Sequence, residues 1–410
     1  MTRSATPAPR DLSLEALRGS AALLVAVTHL FYLDILLPGA PLPPWLRHVE
    51  AGHTAVLLFF VLSGYVIAWT NPGDCSRPAL AGYVRRRTMR LGPIYACAIG
   101  LTLLAAFTSP YWPGDGIRTL WAAILVQNYN DYFGVLLAPP IVNGPLWSLH
   151  YEILFYAAFP LLWIYRPRLI IVFGPALLIC TLGWFCNAWF PRFVASYATG
   201  WICWASGWWL IQQPLCSPRA ASLLPSLLLV FAHHQLEPVR RILNGLDLHA
   251  QDAGMINLAD LGLLIVALHS ISRLVGRTLP FARIFALYMW VTPAIVVALL
   301  IFTGRFNQNP MWWVGAGAYL TALATLGLPA ISLLTRAFAW LGGISYAFYV
   351  VHFPLLYLVS LLPVPASPSL GFVLRALVWA ALALGMAVLL ETQFQPWVHR
   401  LWRGKSPVTP

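Results

Sequence analysis

Long apolar runs, broken by arginine, proline and glycine, recur along the chain from Leu14 to Leu390. A transmembrane helix needs about 20 consecutive apolar residues. The run LEALRGSAALLVAVTHLFYLDILL, Leu14 to Leu37, meets that length, yet it holds Arg18 at its start and His29 inside it. Further candidate spans lie near 54–70, 91–109, 146–165, 169–190, 194–213, 220–232, 257–275, 281–303, 311–334, 338–361 and 371–391. The 220–232 segment is short, so the pattern predicts roughly 10–12 spans. The expected fold is all-α, a polytopic transmembrane helical bundle, because a membrane barrel would show short alternating strands instead.

Segment 110–145 breaks the pattern. It is aromatic, polar and punctuated by proline and glycine, which suits a re-entrant or interfacial element lining a cavity. Arginine placement requires the same. Arg3 and Arg10, the group Arg77 to Arg90, Arg166 with Arg168, Arg273 with Arg277, and Arg400 with Arg403 fall on one side only if 110–145 does not cross as a full span. That side is expected to be the cytoplasm, with both termini on it, and the polar connection His233 to Ile256 is expected outside. The first apolar run is too long for a signal-peptide core and reads as a retained span. A single domain over 12–400 is expected, with disordered tails at 1–11 and 404–410.

Composition narrows the class further. With 60% hydrophobic and 9% charged residues in 410, the chain holds more apolar surface than a soluble core can hide, so the lipid bilayer is its expected surroundings. The formal charge of +12 is carried mostly by arginines between apolar runs, which fits membrane topology rather than a nucleic-acid face. The six cysteines show no paired short spacing of a zinc site, so no metal is expected and buried inert thiols are the simpler reading.

Ionisable residues at membrane depth are costly and mark functional sites by default. Arg18 and His29 are eleven residues apart, three helical turns plus about 20°, so they share one helix face roughly 16 Å apart along the axis. Glu15, three residues before Arg18, is placed to pair with it. A snorkelling arginine and a packing histidine would satisfy the same pattern. Glu152 enters a span one turn below Trp147, where structural pairing with a cation and catalytic use are equally open readings. His150 lies about 200° round the helix from it, on another face. In YVRRRTMRLGPIY, Tyr83 to Tyr95, Arg87 and Arg90 stand at i and i+3 with Arg86 beside them. Guanidinium groups grip phosphates in a bidentate manner, although positive flanks of this kind also serve topology alone. Ser345, Tyr349 and His352 form a polar stripe on an apolar span, and Ser63 with Gly64 sits in mid-span, where small residues permit close helix approach.

Taken in order, these stretches resemble the bacterial acyltransferase family 3, integral membrane O-acyltransferases that modify surface carbohydrates. The resemblance rests on Arg18 and His29, on Phe59, Phe60, Leu62, Ser63 and Gly64, on Arg87 and Arg90 before Pro93, and on Pro145 to Leu149 with Glu152, Phe155 and Tyr156. It extends to Ser345, Tyr346, Tyr349 and His352 to Pro354, and to the closing ETQFQPW with Glu391. Glu15 stands where many relatives have Asp, Ala55 and Leu57 where many have Gly and Asp, and His150 where Ser is common.

The resemblance implies transfer of an acyl group, most simply acetyl, from cytoplasmic acyl-CoA (acetyl-CoA) to a hydroxyl of a surface glycan or lipid-linked sugar outside a bacterial inner membrane. A hydroxyl becomes a competent nucleophile when its proton is removed as it attacks, which makes His29 the expected general base. Glu152 is expected to orient the imidazole or balance charge, and Arg18 to line the donor path or anchor Glu15. Arg86, Arg87 and Arg90 are the expected donor-binding group, and Ser63, Tyr349, His352 and His150 the expected substrate-binding residues. The rival reading is a proton-coupled transporter or flippase using the same intramembrane Arg, His and Glu as a proton relay, which leaves the Arg-x-x-Arg pattern without a particular task. A non-catalytic membrane scaffold, a further alternative, leaves the buried ionisable residues unexplained.

Overall fold

The computed structural model describes residues 12–32, 35–37, 46, 51–124, 139–186, 189–216, 223–246, 248, 256–326, 332–363 and 367–403. The tails 1–11 and 404–410 and the central part of the expected re-entrant segment, 125–138, lie outside the described residues. Among those residues the elements are helical, apart from one isolated bridge between Leu215 and Arg277.

The first half of the chain forms α1 (Leu12–Tyr32), α2 (Gly52–Thr70), α3 (Arg77–Thr108), the short α4 (Gly114–Ala123), α5 (Trp147–Tyr165), α6 (Leu169–Phe185), α7 (Trp189–Leu210) and α8 (Leu223–Leu236). The second half forms α9 (Pro238–Gly245), α10 (Leu261–Leu274), α11 (Ala282–Phe302), α12 (Pro310–Ala324), α13 (Ser332–Gly343), α14 (Ser345–Ser360), α15 (Pro368–Leu389) and α16 (Gln395–Arg403).

Five of these stretches are long and apolar enough to cross a membrane: Leu12–Phe31, Gly52–Thr70, Arg77–Thr108, Ala282–Phe302 and Pro368–Trp402. Counting α13 and α14 as one broken span makes six. The remaining expected spans correspond to helices that are shorter, as α8, α10 and α12 are, or less apolar, as are α5 with His150 and Glu152 and α7 with Arg192. The exposed stripe Ile284, Leu287, Val291, Ile295 and Leu299 on α11 follows helical spacing, as a lipid-facing surface does.

Two boundaries differ from the sequence expectation. The span expected from 91 starts earlier: Ser76 caps it, accepting a hydrogen bond from the Ala79 N–H, and α3 runs for 32 residues through Arg87 and Arg90. The expected span 338–361 is broken at Ile344, where α13 and α14 meet at 78°.

Proline sets how several helices dock. A helical proline has no N–H, so the carbonyl four residues earlier loses its partner. At four such positions a side chain from another element donates to the released carbonyl. Pro93 frees Met89, which accepts from Gln395 Nε2 at 2.6 Å, and Pro160 frees Tyr156, which accepts from the Tyr83 hydroxyl at 2.9 Å. Pro293 frees Met289, which accepts from His233 Nε2 at 2.9 Å, and Pro354 frees Val350, which accepts from Asn143 Nδ2 at 3.3 Å. Each such bond would be missing in lipid, where an unpaired backbone group costs several kcal/mol (~2–7 by transfer).

Glycine sets how closely two other pairs approach. A Cβ on Gly19 would lie 1.9 Å from the Phe338 carbonyl oxygen, and one on Gly342 the same distance from that of Glu15, so α1 and α13 touch backbone to backbone. Gly64 meets the Trp204 carbonyl and Gly207 that of Val61 in the same reciprocal way, joining α2 to α7. One apolar cluster then gathers α1, α3, α14 and α15 around Val25, Ile94, Val350 and Ala383, and another gathers α2, α5 and α7 around Phe60, Phe155 and Trp204.

Gly64→Leu is expected to cost more than the roughly 1–3 kcal/mol typical of overpacking, because its obstacle is backbone. The protein should lose its monodisperse profile and melt several degrees lower in detergent. Gly100→Leu, where nothing lies within 4 Å, should leave both unchanged.

Candidate active site

Side chains of α1, α2, α3, α5 and α14 enclose one cavity. It is lined by Arg18 of α1, by Phe59 and Phe60 of α2, by Arg87, Arg90 and Leu91 of α3, by Ser148, Glu152 and Tyr156 of α5, and by Ser345, Tyr346 and Tyr349 of α14. Three guanidinium groups therefore face one space together with a single carboxylate.

The three arginines are held differently. Arg18 Nη1 donates to Glu15 at 3.3 Å. Arg90 forms an ion pair with Glu391 and lies over the Tyr346 ring, 5.6 Å from its centroid. Glu391 is delivered by a π-helical turn, Leu390–Phe394, between α15 and α16, an irregularity that turns the carboxylate toward α3. Arg87 lies 5.8 Å from the Tyr156 ring centroid, and its buried Nε meets no hydrogen-bond partner among the described residues.

Glu152 ends a chain of donors. Trp204 Nε1–H donates to Ser63 Oγ at 3.3 Å, Ser63 donates to the Tyr156 hydroxyl at 3.2 Å, and Tyr156 donates to Glu152. Every link points its hydrogen the same way, so the carboxylate receives and stays an acceptor. The approach that Gly64 permits places Trp204 within reach of Ser63.

His29, near the end of α1, lies in contact with α14. Its Nδ1 is 2.9 Å from Nε2 of His352, the two rings stack with centroids 5.2 Å apart, and Phe353 meets the His29 ring edge-on at 4.9 Å. His352 is fully buried, and its Nδ1 is 2.7 Å from the Tyr349 carbonyl oxygen. Its own carbonyl accepts from Trp379 Nε1 at 2.8 Å, which fixes α14 against α15 at this residue. Tyr349 connects the histidines to the cavity: its ring centroid is 6.0 Å from those of both His352 and Phe59, and its hydroxyl pairs with Ser148 at 2.7 Å and donates to the Pro145 carbonyl at 2.8 Å.

The structure thus brings Arg18, Arg87, Arg90, Glu152 and Tyr349 to one cavity and His29 with His352 beside it. Other expected residues lie apart. Arg86 donates to Asn71 Oδ1 at 2.6 Å, Ser63 stands behind Tyr156, and His150 Nδ1 pairs with the Tyr197 hydroxyl at 2.9 Å. The imidazole of His29 meets His352, whereas Glu152 meets Tyr156. Sequence reasoning had no means of pairing His29 with His352, since 323 positions separate them.

These meetings join every motif singled out in the sequence, and the whole pattern matches the acyltransferase domain over residues 11–392. The chain belongs to acyltransferase family 3. The acyltransferase is 27% identical to a protein named acyltransferase MdmB from Streptomyces mycarofaciens over 368 residues, covering 83% of this chain and 78% of that relative. It is 29% identical to an O-acetyl transferase of Shigella phage Sf6 over 144 residues, 33% of this chain and 41% of the phage protein. No solved structure matches it. It is a multi-pass membrane acyltransferase.

Removing Glu391 alone strands the Arg90 guanidinium in a largely buried position. Glu391→Leu is expected to destabilise the acyltransferase by about 2 kcal/mol, less than the 3–5 typical of a fully enclosed pair because Arg90 is 33% exposed. The double variant Arg90→Met/Glu391→Leu should recover most of that loss in a detergent melting assay.

Proposed function

We propose that the acyltransferase moves an acyl group, most simply acetyl, from acyl-CoA to a hydroxyl of a glycan or lipid-linked sugar on the far side of a bacterial cytoplasmic membrane. The observation that supports this best is the cavity itself. Three arginines around one space suit a polyanionic donor such as the phosphates of CoA, and Arg87 has donor capacity not taken up by any described partner. The same cavity runs along α14 from Ser345 to Tyr349, next to the histidine pair. Positive-inside counting supports a cytoplasmic mouth and cytoplasmic termini.

In this reading the CoA phosphates rest on Arg87, Arg90 and Arg18, and the thioester reaches His29. The acceptor hydroxyl gives its proton to His29 as its oxygen attacks the thioester carbonyl carbon. A new C–O bond forms while the carbonyl electrons move to oxygen. Collapse of that oxyanion breaks the C–S bond, and the departing thiolate takes the proton from His29, releasing CoA and an ester. Glu152, facing three cations, balances the charge of the cavity when the donor is absent.

His29→Ala should reach the membrane at normal level yet fail to restore O-acetyl groups, read by mass spectrometry of surface glycans from a deletion strain. Restoration equal to wild type would remove His29 from the reaction. Arg87→Ala should raise the apparent KM for acetyl-CoA about tenfold or more, the worth of a charged hydrogen bond. An unchanged KM would remove Arg87 from the donor site. Movement of a glycan without ester formation by the purified protein would favour a transporter instead.

A further inference from the structure

The hydrogen-bond partners of His29 and His352 fix more than their positions. A backbone carbonyl only accepts, so His352 Nδ1, 2.7 Å from the Tyr349 oxygen, carries a hydrogen. In a neutral ring the other nitrogen, Nε2, then holds the lone pair. That lone pair lies 2.9 Å from His29 Nδ1, which must therefore be the donor. His29 is left with its hydrogen on Nδ1 and its lone pair on Nε2. No described carboxylate bonds either ring, and His352 has no solvent exposure, so a second proton on it would be an unpaired buried charge.

We infer that His352 is a positioning residue that locks His29 into the Nδ1–H tautomer, so that Nε2 is the nitrogen offered to the acceptor hydroxyl. This deepens the reading of His29 as general base and rests on it. The fixed element behind the pair is α14. Its carbonyl at Tyr349 sets the hydrogen on His352, Trp379 holds the His352 backbone, and Asn143 holds the neighbouring turn at the carbonyl that Pro354 releases. Proton uptake at His29 Nε2 would be met at once by His352: the His29 Nδ1–H already points at its lone pair, so the bond becomes charge-assisted without either ring moving. A carboxylate in that place would do the same with a full charge, which in this apolar surrounding would need a cation of its own.

The test compares two substitutions at His352. In His352→Gln the Oε1 atom restores an acceptor for His29 Nδ1–H. In His352→Leu the bulk remains and the acceptor is gone. With purified protein, acetyl-CoA and the acylatable glycan, His352→Leu should lose kcat by about a thousandfold, within the range of acid–base catalysis, with both KM values within about threefold of wild type. His352→Gln should retain kcat within about tenfold. Equal loss in both variants, or a loss confined to the KM of the acceptor, would overturn the assignment and return His352 to a packing or substrate-binding role.

A measurement on the unaltered protein guards against misfolding of either variant. Nitrogen-15 NMR of histidine-labelled protein, with the His29 signals identified by their loss in His29→Gln, should show a protonated Nδ1 and an unprotonated Nε2. The reverse pattern would overturn the tautomer. A fully active His29→Ala would instead overturn the reading beneath, whatever His352 does, so the two failures are distinguishable.

Discussion

The docking of this bundle depends on carbonyl groups that prolines set free. In water an unpaired carbonyl finds a solvent donor, but inside a bilayer it must find one on the protein. Pro93, Pro160, Pro293 and Pro354 each release one, and Gln395, Tyr83, His233 and Asn143 each donate to it from a separate element. These bonds are directional where apolar contacts are not. They fix rotation and register between helices that lipid would otherwise let slide, and three of them stand at the cavity. The Met89 carbonyl lies one residue before Arg90, the Tyr156 carbonyl belongs to a lining residue, and the Val350 carbonyl lies one residue after Tyr349.

Glycine supplies the complementary constraint, distance. The contacts of Gly19 with the Phe338 carbonyl, of Gly342 with that of Glu15, of Gly64 with that of Trp204 and of Gly207 with that of Val61 bring α1 to α13 and α2 to α7 at backbone contact. Both crossings lie next to the site: Arg18, which lines the cavity, precedes Gly19, and Ser63, which donates to Tyr156, precedes Gly64. Motifs that look like strings of catalytic residues are in part strings of docking residues. Ser63 acts through Tyr156 on Glu152, and Pro145 accepts from Tyr349.

Much of this was legible in the chain. The helical class follows from run length, the common face of Arg18 and His29 from their spacing, and the divergence of His150 from Glu152 from the 200° between them. The family resemblance gathered the motifs, and the acyltransferase domain matches residues 11–392. What pattern alone hides is which helices touch. Arg90 meets Glu391 across 301 positions and His29 meets His352 across 323, and no periodicity records either meeting. The break at Ile344 was equally hidden, because the residues on both sides are apolar and read as one span. Helices such as α8, α10 and α12 are apolar yet shorter than a full span, a difference of length that an apolar run in the sequence does not reveal.

The proposed reaction requires one continuous path from the arginine cavity to His29. A structure of the acyltransferase with a non-hydrolysable acetyl-CoA analogue tests it directly. The analogue's phosphates are expected on Arg87, Arg90 and Arg18 and its acyl carbonyl beside His29 Nε2. An analogue bound with its phosphates elsewhere, or with its acyl group remote from His29, would contradict it.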